Sequence, residues 1–223
     1  MVIAIDGPAG SGKSTVARKL ANRLGFIHLN SGALFRTVGL FAKKQDLSLD
    51  DDSVVEQLAR SLQFRFELGA DGETVFLVNG KDIRSELADE TVGTLASRVA
   101  LLPSVRQVLL EVQRAAAKES SLVVEGRDSG TVVFPDAEKK IYLDSSLEVR
   151  TQRRLRELRG GVDDKSEEDG QFREIRNQLE TRDSQDANRE FAPHRRADDA
   201  TLIDTSNLTP EEVVDSIVAI LKK

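Results

Sequence analysis

The chain has no cysteine. That excludes a disulfide framework, a thiolate zinc site and a cysteine nucleophile, and it suits a reducing compartment. Histidine is nearly as scarce: His28 and His194 are the 2 present in 223 residues, too few for a multi-histidine metal centre. No apolar run approaches the roughly 18 residues needed to cross a bilayer. The opening MVIAIDGPAG has no basic stretch, and Val2 to Ile5 is too short for the apolar core of a secretory signal, so a cytoplasmic protein is expected. Cations are in the minority, 32 Lys+Arg against 38 Asp+Glu for a net charge of −6. This argues against broad binding to a nucleic-acid polymer or an anionic membrane while leaving room for a local basic pocket.

What is present describes a globular chain, 39% hydrophobic and 31% charged, long enough to bury its own core as one domain over 1–223. Val2 to Ile5 reads as a strand, followed by a glycine-rich turn and a helix whose apolar residues Val16, Ala17, Leu20, Ala21 and Leu24 recur at helical spacing up to Gly25. Phe26 to Leu29 reads as a second strand. Strands alternating with helices predict an α/β fold: a three-layer arrangement with a central parallel sheet. The middle differs. Phe64, Phe66 and Leu68 alternate with polar residues, and Asp71-Gly72 and Asn79-Gly80 are turn signals flanking Val75 to Val78. A small antiparallel insert over about 63–84 is predicted, then helices over about Glu86 to Leu102 and Pro103 to Lys118. Further strands are expected at Leu122 to Val124, Lys140 to Leu143 and Thr201 to Ile203. A charged helical stretch between Leu147 and Glu180 is interrupted at Gly160-Gly161 and Gly170. The last helix starts at Thr209, with Pro210 in its first turn and Glu212 completing a capping box.

Gly7, Pro8, Ala9, Gly10, Ser11, Gly12, Lys13 and Ser14, followed by Thr15, match G-x-x-x-x-G-K-[ST] between a strand and a helix. Glycines there let backbone N–H groups curl around an anion at a helix N-terminus. Lys13 is placed to reach outer phosphates, and the Ser14 hydroxyl suits Mg²⁺ carried with a nucleoside triphosphate. Two more polar clusters follow strands. Ser31 can cap the next helix and Arg36 projects from its first turns; Glu125, Arg127 and Asp128 end the run after Leu122. Ligands of open α/β sheets sit at the carboxyl ends of strands, so the three clusters predict one crevice; taken singly, each is also ordinary turn chemistry. Glu125 is placed to orient waters around the metal. Arg150, Arg153, Arg154, Arg156 and Arg159 crowd ten residues, with Arg150, Arg153 and Arg154 on one face. They suit the charge of a transferring phosphoryl group, or else form a solvated helix paired with Glu148 and Glu157. Arg182 to Arg189 is another dense polar run.

With these motifs in view, the chain resembles the bacterial cytidylate kinases, P-loop nucleoside monophosphate kinases, over essentially its whole length. The resemblance rests on GPAGSGKST, NSGALFR, the hairpin-bearing insert, ASRVALLPSVR, EGRDSGTVVFPDA, KIYLD, the arginine-rich lid and RDSQDANR. It implies transfer of the γ-phosphoryl group of ATP to CMP or dCMP with Mg²⁺, by a monomer. It implies an acceptor-binding region over 36–100 and a lid over 150–168. Ser31, Arg36, Ser97, Arg106, Arg127, Asp128, Arg182, Asp186 and Arg189 fall where the family holds CMP. The base would be read by Ser97, Arg106 and Asp128, the sugar held by Asp186, and the phosphate by Arg36, Arg127 and Arg189. Lys13, Arg127, Arg150 and Arg154 would supply catalytic charge; Ser14 and, through water, Glu125 would serve the metal. The chain departs from many relatives in having Asn30 and Phe35 where Asp and Tyr are common, and Glu125 where some have Asp. The rival readings are a P-loop kinase for another small acceptor, such as another nucleotide or shikimate, and a nucleotide-dependent switch without acceptor turnover.

Overall fold

A computed structural model describes residues 1–160 and 170–222. Five strands form a sheet in the order β2-β6-β1-β7-β8: β1 Val2–Asp6, β2 Ile27–Asn30, β6 Leu122–Gly126, β7 Lys139–Asp144 and β8 Thr201–Asp204. Every pairing in it is parallel. Because both faces are covered, these strands read as apolar runs rather than alternations. The two-residue pleat still sorts them. Ile3, Ile5, Val123, Ile141 and Leu143 pack with α1 (Lys13–Leu24) and α8 (Pro210–Leu221). Ala4, Ile27, Leu29, Leu122 and Val124 pack on the other face, with α2 (Ser31–Lys44), α3 (Asp52–Ser61) and α5 (Pro103–Glu119).

The helix boundaries follow local chemistry. Gly25, at φ 67°, ends α1 by donating to the Ala21 and Asn22 carbonyls. Thr209 and Glu212 form the expected capping box of α8. Three expectations need correction. Ser31 does not cap α2; Asn30 does, accepting from Ala33 N–H at 3.0 Å, which leaves Ser31 as the first helical residue with its hydroxyl free for the site. The helix expected over Glu86 to Leu102 is instead a 3₁₀ turn, Glu86–Ala88, then α4 over Glu90–Val99, because Asp89 turns extended and caps the second piece through Thr91 N–H at 2.7 Å. Gly170 is itself helical, the first described residue of α7, Gly170–Ala187, so Arg182 and Asp186 ride on its last turns.

The insert is a three-stranded antiparallel sheet, β3 Phe64–Leu68, β4 Thr74–Val78 and β5 Lys81–Asp82. Phe66 and Phe64 stack on Phe76 at 5.2 and 6.3 Å between centroids, which turns one face into the core of the α2–α5 side. A smaller third cluster joins α6 (Leu147–Leu158) to α7 through Leu155, Phe172, Ile175 and Leu179, and Ala9 of the glycine-rich turn packs into it. Of the lid expected over 150–168, residues 161–168 lie outside the described residues.

Candidate active site

Parallel pairing puts every carboxyl end of the sheet on one edge. In register, Ile5 and Asn30 flank Glu125, and Asp6 lies beside Gly126. The glycine-rich turn, Ser31 and the Glu125–Asp128 segment therefore share one crevice, as the sequence predicts.

Residues 7–12 run from β1 into α1. A Cβ on Gly7 would lie 2.0 Å from the Leu143 carbonyl oxygen, so no other residue fits beside β7. Lys13 is buried, and its ammonium donates to Pro8 O at 2.6 Å and Ser11 Oγ at 3.3 Å. Burial first, and the Arg127 guanidinium next, lower its pKa well below the lysine range. The Ser14 hydroxyl acts on the Glu125 carboxylate, and His28 Nε2 stands 3.6 Å from Glu125 Oε1. Burial alone would raise the Glu125 carboxyl; His28, Lys13 and Ser14 outweigh it and hold it below the usual range. Glu125 Oε1 is buried with no hydrogen-bond partner, so a charged oxygen beside a hydroxyl faces inward with a coordination position to fill. Such oxygen donors fit Mg²⁺, which keeps most of its waters and takes one or two protein ligands.

The acceptor half is dominated by guanidinium groups. Arg127 donates to Asp186 Oδ2 at 2.9 Å, and Arg189 lies 3.8 Å from Asp186 Oδ1. Burial and Arg127 bring Arg182 down to about 10, and Arg36 and Asp186 also act on it. Arg36 is lowered by burial and by Arg154, and donates to Leu87 O at 2.6 Å. Arg182 Nε and Arg189 Nη2 are buried without a hydrogen-bond partner. Cations crowded this way, with donors unsatisfied, make a receptor for a dianionic phosphate. Beside them a cavity of about 170 Å³ is lined by Ser31, Phe35, Arg106, Gln113, Asp128 and Phe191 among others. Arg106 hydrogen-bonds Asp128 and lies 5.4 Å over the Phe35 ring. Ser97 does not line this cavity; its hydroxyl donates to Gly93 O at 3.3 Å on α4.

The lid arginines separate. Arg150 is buried, donating to Ser145 O at 3.1 Å, Ala9 O at 2.9 Å and Asp183 Oδ2 at 2.5 Å. Arg153 donates to Thr205 Oγ1 at 3.0 Å. Arg154 pairs with Glu157 at 3.0 Å on the surface, where such a pair adds little stability, and its charge reaches Arg36.

Sequence reasoning missed four residues here. Asp6 accepts from Ser129 N–H at 2.9 Å and Gly130 N–H at 2.7 Å, fixing the single π-turn Ser129–Val133 that follows Asp128. Burial raises its carboxyl in spite of those bonds. Its signal was an acid closing a buried apolar strand. Gln113 stands seven residues after Arg106, on the same face of α5, which spacing could have revealed. Asp183 accepts from Ala9 N–H at 3.0 Å. His194 stacks on Tyr142 with centroids 5.6 Å apart and Nε2 3.2 Å from the phenol oxygen, and no local pattern marks that pair.

The family model described as cytidylate kinase matches residues 3–223. The chain belongs to the cytidylate kinase family. It is 43% identical over 222 residues to the cytidylate kinase of Thermosipho melanesiensis, covering 99% of this chain and 96% of that one. Identity to the cytidylate kinase of Pasteurella multocida is 39% over 224 residues, covering 100% and 96%. Among solved structures, an uncharacterized protein from Eubacterium ventriosum superposes with a TM-score of 0.53 at 16% identity, covering 100% of this chain and 99% of that one, a likeness of fold. The family's P-loop kinase architecture is the one predicted: a central parallel sheet, flanking helices and a small antiparallel insert. Asn30 and Phe35, the two departures expected from the resemblance, now have places. Asn30 keeps the capping task open to an Asp, and Phe35 supplies a ring face to Arg106 where a Tyr would add a hydroxyl. No helix among the described residues is long and apolar enough to cross a membrane.

Proposed function

We propose that this chain transfers the γ-phosphoryl group of ATP to CMP or dCMP, giving ADP and CDP or dCDP. The observation that carries the reading is the meeting of two phosphate receptors, since the phosphate-loop Lys13 feels the charges of Arg127 and Arg182 from the acceptor cluster. Two polyanions brought that close need bridging cations, and the crevice supplies them from both sides.

The loop amides of Gly7 to Ser14, with Thr15, hold the ATP phosphates, and Lys13 swings from Pro8 and Ser11 to the outer ones. Ser14, and Glu125 through water, would hold Mg²⁺, which would supply charge neutralisation on the phosphate oxygens. Arg36, Arg127, Arg182 and Arg189 orient the CMP phosphate. An oxygen of that phosphate forms the new bond to the γ-phosphorus while the bond to the β–γ bridging oxygen breaks, leaving ADP. The attacking oxygen is already ionised, so no general base is required, and positioning with charge neutralisation performs the catalysis. Arg127 and Arg154 have guanidiniums within electrostatic reach of the acceptor cluster. Arg150 acts on the same charge through the loop it grips.

Cytosine enters the cavity beside Phe35. Its 4-amino group donates to Asp128 and its N3 accepts from Arg106, whereas uracil presents the reverse pattern at both positions. Ser97, on α4 with its hydroxyl donating to Gly93 O, stands outside this cavity, so the base reading rests on Arg106 and Asp128. Asp186, released by Arg127 when phosphate arrives, takes the sugar hydroxyls. The test is ADP release from ATP·Mg²⁺ with CMP, dCMP, UMP, AMP, GMP and shikimate. Preference for CMP and dCMP is expected; preference for another acceptor, or no acceptor-dependent release from folded, ATP-binding protein, overturns the reading.

A further inference from the structure

The two phosphate receptors are joined by adjacent residues on one turn of α7. Arg182 faces the acceptor cluster, where Arg127, Asp186 and Arg36 act on it. Asp183 faces the phosphate loop. Its Oδ1 accepts from the Ala9 N–H at 3.0 Å, and its Oδ2 accepts from Arg150 Nη1 at 2.5 Å. The same Nη1 donates to the Ala9 carbonyl at 2.9 Å. Ala9 is thus held at both polar backbone atoms by a carboxylate and a guanidinium that hold each other. Arg150 is fixed in turn by Ser145 O at 3.1 Å, and a Cβ on Gly10 would lie 3.2 Å from Arg150 Cβ. The methyl of Ala9, 4% exposed, packs among Leu155, Phe172, Ile175 and Leu179 of the same two helices.

A phosphate loop is usually braced by its own strand and helix, both present here. The additional brace comes from the helix that carries Arg182 of the acceptor cluster. A helix is stiff over one residue, so a shift that brings Arg182 onto a bound phosphate shifts Asp183, and with it Ala9. Arg182 Nε has no hydrogen-bond partner without a ligand, so a phosphate gives that helix turn a reason to move. We infer that Asp183 is a positioning residue that couples occupancy of the acceptor site to the shape of the phosphate loop, so that CMP strengthens ATP binding and ATP strengthens CMP binding. The inference rests on the functional reading above. By linkage the two enhancements are equal.

The test measures binding of the non-transferable analogue β,γ-imido-ATP with Mg²⁺, by calorimetry, with and without saturating CMP. For the parent chain CMP is expected to tighten analogue binding at least about fivefold, the lower end of ordinary coupling. In Asp183→Asn, which keeps an oxygen for Ala9 N–H but turns a donor toward Arg150, the enhancement is expected to fall below about twofold. Arg150→Lys, which cannot reach Ser145, Ala9 and Asp183 together, is expected to lose it as well and serves if the first variant does not fold. A merely structural brace would lower the melting temperature and weaken the analogue equally with and without CMP, leaving the ratio at its parental value; that outcome overturns the inference. A parent that binds both ligands with a ratio near one overturns it too, while leaving the functional reading standing. A parent that binds the analogue but not CMP overturns the functional reading and this inference with it.

Discussion

Arg127 donates from Nε to Asp186 Oδ2 at 2.9 Å, with both side chains 17% exposed. Arg189 approaches the other oxygen of the same carboxylate at 3.8 Å. Asp186 therefore holds two arginines, and in the proposed function a phosphate that takes those arginines frees the carboxylate for a sugar. Asp186→Ala should lower kcat/KM for CMP by on the order of tenfold to a hundredfold, the scale of one or two charge-assisted hydrogen bonds. Because dCMP lacks the 2′-hydroxyl, it should lose less, and the CMP/dCMP ratio should move toward dCMP. Steady-state kinetics with both acceptors checks this; an unchanged ratio contradicts the sugar contact.

Lys13 lies in the proposed phosphate loop, bonded to Pro8 O and Ser11 Oγ and carrying a lowered pKa because it is buried among arginines. A polyphosphate offers that ammonium better partners than the loop itself does. Lys13→Ala should reduce kcat by at least about 10²–10³, the usual cost of losing one aimed donor. It should do so with every acceptor and leave the KM for CMP within a few-fold of the parent. Turnover at the parental rate would sink the phosphate-loop assignment.

The large elements were legible because each has a one-dimensional signal. Buried parallel strands are apolar runs, Asn79-Gly80 is a hairpin turn, and Thr209 with Glu212 writes a capping box. The phosphate loop has a fixed spacing along the chain, and Glu125 stands directly at the end of an apolar run. What stayed hidden is long-range. Asp183 and Ala9 are 174 residues apart, and Asp6 and Ser129 are 123 apart. Those contacts depend on how helices land on the sheet edge, which no local pattern encodes. The cap of α2 was misjudged between two neighbours, Asn30 and Ser31, that both cap well; the choice went to the one at which the strand ends and the backbone is still extended.

Gly126 closes β6 between two serines. A Cβ there would lie 2.6 Å from Ser31 Oγ and 2.7 Å from Ser129 Oγ, both side chains buried. A methyl group fits there only if both hydroxyls or the backbone shift. Gly126→Ala should cost about 1–3 kcal/mol of stability, the range for overpacking. It should also raise the KM for CMP more than the KM for ATP, because Ser31 belongs to the acceptor cavity. Thermal melts and KM values for both substrates decide it; parental values throughout would contradict the packing argument.

His194 is lowered to about 4 by burial first, then by the Arg127 and Lys13 charges. Unfolded, its pKa returns to about 6.5. Between those values the unfolded chain binds the proton and the folded chain does not, so stability rises with pH across the interval and falls as pH drops from about 6.5 toward 4. His194→Gln keeps a polar partner for the Tyr142 hydroxyl and has no proton to gain. The parent should lose more melting temperature than the variant between pH 7 and pH 5. Equal losses would show that His194 titrates normally in the fold.

Arg106 and Asp128 hydrogen-bond across the base cavity and are 12% and 9% exposed at their side chains. Each fixes the other's direction, and Phe35 supports the guanidinium from below. Arg106→Met removes the donor to cytosine N3 and also frees the Asp128 carboxylate to turn, so both base contacts degrade together. A site built around paired hydrogen bonds discriminates because the wrong base leaves buried groups unpaired; without the pair, that penalty goes. The variant should bring the CMP/UMP ratio of kcat/KM down by on the order of tenfold or more, while the KM for ATP stays within about twofold of the parent. An unaltered CMP/UMP ratio would remove Arg106 from base recognition. A matching rise in the KM for ATP would place its effect in the fold rather than in the cavity.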